Sequence, residues 1–306
     1  MRIAVTGKTG QVVTALIERG TAAGHEIVAL GRPDLDLADP ASVARALADA
    51  QADAIVSAAA YTAVDKAETE AELAHAVNGA GAGAVAEAAK ALGVPLVHVS
   101  TDYVFDGTLG RPYRESDPTG PTGVYGASKL AGEQAVLAAY PQNSAVLRVA
   151  WVYSPFGGNF VKTMLRLAET RDGVSVVADQ VGNPTSALDI ADGILKVATN
   201  MVSDSDPALR GTFHMTATGE ASWADFAEGI FAASANAGGP SATVARIATA
   251  DYPTPAKRPA NSRLDCGLIA RAHGVTLPDW RDALDIVIAR LHPAARSTGQ
   301  EGTIKQ

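Results

Sequence analysis

The sequence predicts an α/β protein, a Rossmann-type doubly wound parallel sheet joined to a smaller α+β substrate-binding region. Three observations carry this expectation. Short apolar runs alternate with longer Ala-rich amphipathic stretches through the first half, the pattern of a parallel sheet covered on both faces. Gly7-Lys-Thr-Gly10 stands directly between the first apolar run and the first amphipathic stretch, where a dinucleotide fingerprint belongs. Beyond Trp151 the alternation becomes irregular and rich in breakers.

In order, the apolar runs predict strands over 2–6, 26–30, 53–57, 95–101 and 144–150, with helices over 11–23, 41–50, 71–92 and 125–139 between them. The second half predicts a loop at Gly157-Gly158, a helix over 160–170, a short strand over 175–178, a helix over 189–200 and a strand over 211–215. Pro253, Pro255 and Pro259 make 248–263 extended rather than helical. Trp280, Leu284, Val287, Ile288 and Leu291 recur near the helical period and mark a last helix over 278–291. The division expected is a nucleotide-binding domain over 1–152 plus about 186–216, a substrate-binding domain over about 153–185 and 217–292, and a flexible tail over 293–306.

Composition narrows the class. A chain of 306 residues, 47% hydrophobic, can bury a sizeable core. A net charge of -8 argues against a nucleic-acid surface, which needs clustered Lys and Arg, but leaves room for a small anion in a local basic pocket. The lone Cys266 forms neither an internal disulfide nor a zinc cluster, so a reducing cytoplasm is expected. The strand-like Arg2-Ile-Ala-Val-Thr6 directly after Met1 leaves no room for a leader, and no apolar run is long enough for a membrane helix. The six His are scattered, and no metal site is expected.

At the nucleotide end, Gly7 and Gly10 permit a tight turn and let the helix N-terminus meet a pyrophosphate. A third fingerprint glycine would fall at 13, where Val13 stands instead, so looser packing of helix on strand is expected. Strand two ends Ala29-Leu30-Gly31-Arg32. With Leu30 in place of a ribose-binding carboxylate and Arg32 two residues on, NADPH is favoured over NADH, although Arg32 reads equally as a solvated surface charge. Small side chains at Ala58-Ala59-Ala60 let a cofactor approach the third strand.

At the other end of the chemistry, the fourth strand closes on Ser100-Thr101-Asp102, at the strand edge where open α/β sheets bind ligands. The Thr101 hydroxyl can hydrogen-bond a carbonyl oxygen as charge develops on it. Tyr125 and Lys129, four apart, share a helix face, so the ammonium is expected to favour the ionised phenol and make Tyr125 a proton donor near neutral pH. With seven Tyr and eight Lys, that spacing arises by chance about 0.2 times, so its weight comes from its position after the glycine turn and the strand-terminal hydroxyls. Arg258 and Arg263, with Lys257, lie in the proline-rich segment, where guanidinium groups either hold a diphosphate or stand as surface charge.

These residues resemble the extended short-chain dehydrogenase/reductase superfamily and, more closely, its dTDP-4-dehydrorhamnose reductase family. The resemblance spans about residues 1 to 292. It is carried by Gly-Lys-Thr-Gly-Gln-Val at 7–12, Ala-Ala-Ala-Tyr-Thr-Ala-Val-Asp-Lys-Ala-Glu at 58–68, Val-Ser-Thr-Asp-Tyr-Val-Phe-Asp-Gly at 99–107 and Val-Tyr-Gly-Ala-Ser-Lys-Leu-Ala-Gly-Glu at 124–133. Arg-Val-Ala-Trp-Val-Tyr at 148–153, Asp-Gln-Val-Gly-Asn-Pro-Thr at 179–185 and Arg-Pro-Ala-Asn-Ser-Arg-Leu at 258–264 supply the narrower assignment.

The resemblance implies Tyr125 as proton donor, Lys129 on the nicotinamide ribose and Thr101 on the sugar keto oxygen. It further implies Asp102 and Trp151 against the sugar, and Gln11, Val12, Asp36, Leu37, Ala60, Tyr61, Thr62 and Val99 along an NADPH or NADH cofactor. A dTDP-sugar is the implied substrate, bound by a monomer or homodimer. Some relatives are linked as dimers through magnesium on carboxylates, and the comparable positions here read Ala15, Leu188 and Arg281. Two rival readings share these residues: a nucleotide-sugar epimerase or dehydratase that retains its cofactor, and a nucleotide-binding regulatory subunit of the kind found with methionine adenosyltransferase.

Overall fold

A computed structural model describes residues 1–292; the tail expected over 293–306 lies outside them. The first half runs β1 (Arg2–Thr6), α1 (Gln11–Ala22), β2 (Glu26–Leu30), α2 (Pro40–Ala50), β3 (Ala54–Ser57), α3 (Val64–Ala67), α4 (Ala71–His75), α5 (Gly81–Leu92), β4 (Leu96–Thr101), α6 (Val124–Ala139) and β5 (Ser144–Val149). The second half continues β6 (Val152–Tyr153), α7 (Phe160–Ala168), β7 (Gly173–Val177), β8 (Val181–Gly182), β9 (Thr185–Ser186) and α8 (Ala187–Ser203). It ends with β10 (Gly211–His214), β11 (Ala221–Ser222), α9 (Trp223–Asn236), β12 (Thr243–Ile247), α10 (Gly267–His273) and α11 (Trp280–Leu291).

Six strands form one parallel sheet in the order β10-β5-β4-β3-β1-β2. One face buries Leu16, Ile190, Ile194 and Phe213 under α1 and α8; the other buries Leu47, Val85, Val136 and Ile55 under α2, α5 and α6. The chain leaves β1 toward β2 on one side and reaches β3 on the other, which opens a crevice at the carboxyl ends of the strands. A separate cluster built on α7, α9 and α11 centres on Phe226, Ile230, Trp280 and Leu284.

Two elements differ from the sequence expectation in instructive ways. The stretch 71–92 is not one α-helix: Ala76–Ala80 is a π turn between α4 and α5. The turn carries Asn78 inward, where its side chain accepts from the Tyr61 N–H (2.8 Å) and donates to the Tyr61 carbonyl (3.0 Å) and the Ser128 hydroxyl (3.0 Å). A local widening of this kind is set by a tertiary partner, so apolar periodicity does not reveal it. Likewise β12, unpredicted, exists because 243–247 pairs in parallel with β7; most of its side chains are exposed or half-exposed.

The helix α6 approaches its neighbours closely. A Cβ at Gly126 would overlap the Tyr103 carbonyl oxygen, and one at Gly132 would overlap that of Asn78. Among the described residues, no helix is long and apolar enough to cross a membrane.

Candidate active site at the sheet edge

At the nucleotide end, Gly7 has φ +106°, and a Cβ there would lie 2.9 Å from Val13 Cγ2. Val13 is only 2% exposed. The looser packing expected from Val13 is therefore absent, because the missing side chain at Gly7 makes room for the valine. Gly10 caps α1 without a side-chain acceptor, and no acidic residue lies in the first turn. Those N–H groups need an anion or water, which fits a pyrophosphate.

Gln11 ties this turn to the second half of the chain, its Oε1 accepting from the Ser154 hydroxyl (2.7 Å) and Asn159 Nδ2 (3.0 Å). Val12 is half-buried against the core, and the Leu30 carbonyl accepts from the Gly7 N–H. Arg32 is exposed. Beside it stands a cation that sequence reading missed, Lys8, whose Nζ pairs with Asp34 at 2.9 Å and reaches the Arg32 carbonyl at 3.4 Å. The Asp36 carboxylate accepts from the Ala38 N–H, and Leu37 is buried below.

At the end of β3, the Thr6 hydroxyl accepts from the Ala58 and Ala59 N–H groups at 3.1 and 3.0 Å, which directs the chain to half-buried Ala60 and Tyr61 and exposed Thr62. The Tyr61 hydroxyl donates to Glu70, and that bond pushes the phenol up to about 12. Glu68 was also missed: its carboxylate accepts the Val124 N–H at 2.9 Å and caps α6, whose own N-cap Gly123 offers no side chain.

The reacting groups gather where β4 ends. Thr101 is 6% exposed and donates to Asp102 Oδ1 at 2.9 Å. Asp102 is 3% exposed, and its Oδ2 has no partner. Burial pushes this carboxyl up to about 6, against the Thr101 hydrogen bond and the nearby Ser262 hydroxyl. Tyr125 sits in the first turn of α6, edge-on to Tyr103 with centroids 5.4 Å apart. Lys129 is buried, donates to the Val99 carbonyl at 2.7 Å, and is held down at about 8 by burial against the pull of Glu133.

The expectation that Lys129 lowers the Tyr125 pKa requires correction. Burial first, and then the Asp102 charge, hold the phenol above its ordinary 10, with only a Thr101 hydrogen bond opposing them. The phenol therefore keeps its proton, as a donor must. Beneath these groups Glu133 accepts from Ser100 (2.5 Å) and pairs with Arg148 (2.6 Å) in full burial. His98 lies buried with neither ring nitrogen partnered, and burial and the Lys129 charge hold it neutral.

On the substrate side, Trp151 follows β5 with φ +45°, and its indole stacks on Trp223 with centroids 3.6 Å apart. The two arginines differ. Arg263 bonds through each of its three guanidinium nitrogens, to Asn261 (2.8 Å), Glu220 (3.0 Å) and the Gly110 carbonyl (3.1 Å). Arg258 pairs through Nη2 with Asp65 at 2.7 Å, while its Nη1 is buried without a partner. It borders a cleft of about 570 Å³ that also takes in Gly107, Asp179, Tyr252 and Lys257.

With this geometry in place, the comparisons with known proteins are direct. The family described as RmlD substrate binding domain matches residues 1–292. A dTDP-4-dehydrorhamnose reductase of Sinorhizobium fredii is 54% identical over 283 residues, 92% of this chain and 95% of the relative. This chain belongs to the dTDP-4-dehydrorhamnose reductase family.

Two solved structures of that family superpose closely. The Clostridium acetobutylicum reductase has a TM-score of 0.88 at 36% identity, covering 95% of this chain and 99% of that one. The Bacillus anthracis reductase, solved in complex with NADP, has a TM-score of 0.86 at 35% identity, covering 94% and 98%. Ala15 and Leu188 are buried in the core, and Arg281 bonds to Asp279. Among the described residues, no three His, Cys, Asp or Glu side chains group as metal ligands.

Proposed function

We propose that the chain reduces the C4 ketone of dTDP-4-dehydro-L-rhamnose to give dTDP-L-rhamnose, using NADPH or NADH. The observation that carries the reading is that Lys129 reaches the Val99 carbonyl of β4 and Tyr125 lies beside Thr101 and Asp102 at the end of that strand, on the same sheet edge as the open N-terminus of α1. A bound nicotinamide supplies hydride to the carbonyl carbon. The Tyr125 hydroxyl gives its proton to the ketone oxygen, and the Thr101 hydroxyl donates to the same oxygen as charge develops. Lys129 holds the nicotinamide ribose, and the unpartnered Oδ2 of Asp102 accepts a sugar hydroxyl. Trp151 forms an apolar side of the sugar site.

Arg258, with an unpartnered Nη1, suits the diphosphate better than Arg263, each of whose three guanidinium nitrogens already bonds within the chain. Lys8 and Arg32 at the end of β2 favour a 2'-phosphate, hence NADPH over NADH. In this reading residues 1–152 and about 186–216 hold the cofactor, and about 153–185 and 217–292 hold the dTDP-sugar, in a cytoplasmic monomer or homodimer.

The test mixes the protein with NADPH and dTDP-4-dehydro-L-rhamnose and follows cofactor oxidation. Stoichiometric oxidation with dTDP-L-rhamnose as product supports the proposal. A folded protein that copurifies with tightly held cofactor and does not consume it would point instead to the epimerase or dehydratase reading.

A further inference from the structure

We propose that Trp223 is a positioning residue for the sugar site: with Gly182 it clamps the Trp151 indole into an apolar wall for the sugar. The inference rests on the reading above, in which Trp151 borders the hexose.

Trp151 adopts φ +45°, a left-handed conformation that is costly for a side-chain-bearing residue and persists only where the surroundings over-determine it. Those surroundings are specific. On one face the Trp223 ring lies nearly parallel, 3.6 Å away and tilted by 8°. Beside the indole, a Cβ at Gly182 would fall 2.5 Å from Trp151 Cε2 and 2.8 Å from Nε1, so only glycine leaves the space. The Trp151 carbonyl is tied by the Thr185 N–H at 3.1 Å.

The two sides of the clamp are built together. Gly182 in β8 pairs with Ala221 in β11, and Trp223 follows β11 as the first residue of α9. A capping box fixes that helix start: the Ser222 hydroxyl accepts the Asp225 N–H at 3.1 Å, and the Asp225 carboxylate accepts the Ser222 N–H at 2.8 Å. Arg246 anchors Asp225 at 2.8 Å, and Phe160 packs on the Trp223 ring at 4.7 Å. A stacked aromatic pair stabilises beyond its buried area and so offsets the backbone cost at Trp151. Removing Trp223 therefore leaves the strained conformation without its main support.

Register places this wall at the reaction edge, because Thr101 pairs with Val149, two residues before Trp151. A 6-deoxy hexose carries an apolar methyl group, and an indole face is the complementary surface. The clamp thus acts on sugar recognition rather than on cofactor binding.

The experiment compares wild type, Trp223→Ala, Trp223→Phe and Gly182→Ala by calorimetric titration with dTDP-L-rhamnose, dTDP and NADPH. Trp223→Ala and Gly182→Ala should each weaken dTDP-L-rhamnose about tenfold, the equivalent of about 1.4 kcal/mol, while dTDP and NADPH bind as in wild type. Trp223→Phe, which keeps a stacking ring, should recover most of the loss. The exciton band of the stacked indoles in circular dichroism should disappear in Trp223→Ala and shows directly that the stack is broken. Loss of the band with unchanged dTDP-L-rhamnose affinity overturns the proposal, as does equal weakening of dTDP and the sugar nucleotide. Absence of dTDP-L-rhamnose binding by folded wild type is a separate result, which removes the functional reading itself.

Discussion

The end of β4 with α6, and the segment 248–263 that faces it, reach their positions by opposite means. At the sheet edge the backbone does the placing: Thr101 is held by parallel pairing to β5, and α6 is seated by close approach at Gly126 and Gly132. Beneath the reacting groups the Glu133–Arg148 pair is buried. In 248–263 side chains carry much of the placing, with long-range backbone bonds only over 260–263, to Gly107, Val181 and Tyr113. Asp65 holds Arg258 and the Ala256 N–H, Asp179 holds Thr249, and Asn261 holds the Leu109 and Arg111 carbonyls. A strand edge fixes the reacting groups rigidly, whereas a segment held largely by side-chain bonds can alter recognition without disturbing chemistry.

Substitutions in the two regions should separate chemistry and stability from recognition. Tyr125→Phe should cut turnover by the ~10² to 10⁴ typical of losing a general acid, with NADPH affinity retained; rapid-quench rates and cofactor titration read the two effects separately. Next in size, Glu133→Ala should lower the unfolding free energy by about 3–5 kcal/mol by stranding the Arg148 charge in the core, read by urea denaturation. An equivalent cut in the loop, Asp65→Ala, should cost about 1 kcal/mol or less, since its pair with Arg258 is partly exposed.

Within the loop, Arg258→Met should raise KM for the dTDP-sugar about tenfold through a lost charged hydrogen bond, and Arg263→Met should leave KM within about twofold. Equal effects on KM would remove the distinction drawn from the unpartnered Nη1. The smallest effect concerns pH. Burial lifts Asp102 from its ordinary 3.8 to about 6 in the folded chain, so the folded form holds that proton more tightly. The resulting stabilisation is fully present below about pH 4 and is lost as pH rises through about 6. The stability of Asp102→Asn relative to wild type should therefore increase with pH across that window.

Much of this was legible in the sequence because it depends on local pattern. The apolar runs mark the first five strands of the sheet, and Gly7-Lys-Thr-Gly10 marks the turn into α1. What escaped depends on contacts distant in sequence. The π turn at Ala76–Ala80 exists to bring Asn78 to Tyr61 and Ser128, Glu68 caps a helix that begins 56 residues later, and Trp223 acquires its role by lying on Trp151. Val13 was misread for the same reason, since the space it fills is the side chain that Gly7 lacks. Lys8 was visible, but its reach to Asp34 and the end of β2 was not.

At the end of β4, a hydride and the Tyr125 proton together make a net reduction. Its most direct measurement supplies NADPH deuterated at the transferring position with dTDP-4-dehydro-L-rhamnose and examines the product by NMR and mass spectrometry. The account predicts one deuterium at C4 of dTDP-L-rhamnose for each cofactor oxidised. Product without the label, or unchanged sugar beside intact cofactor, would contradict it.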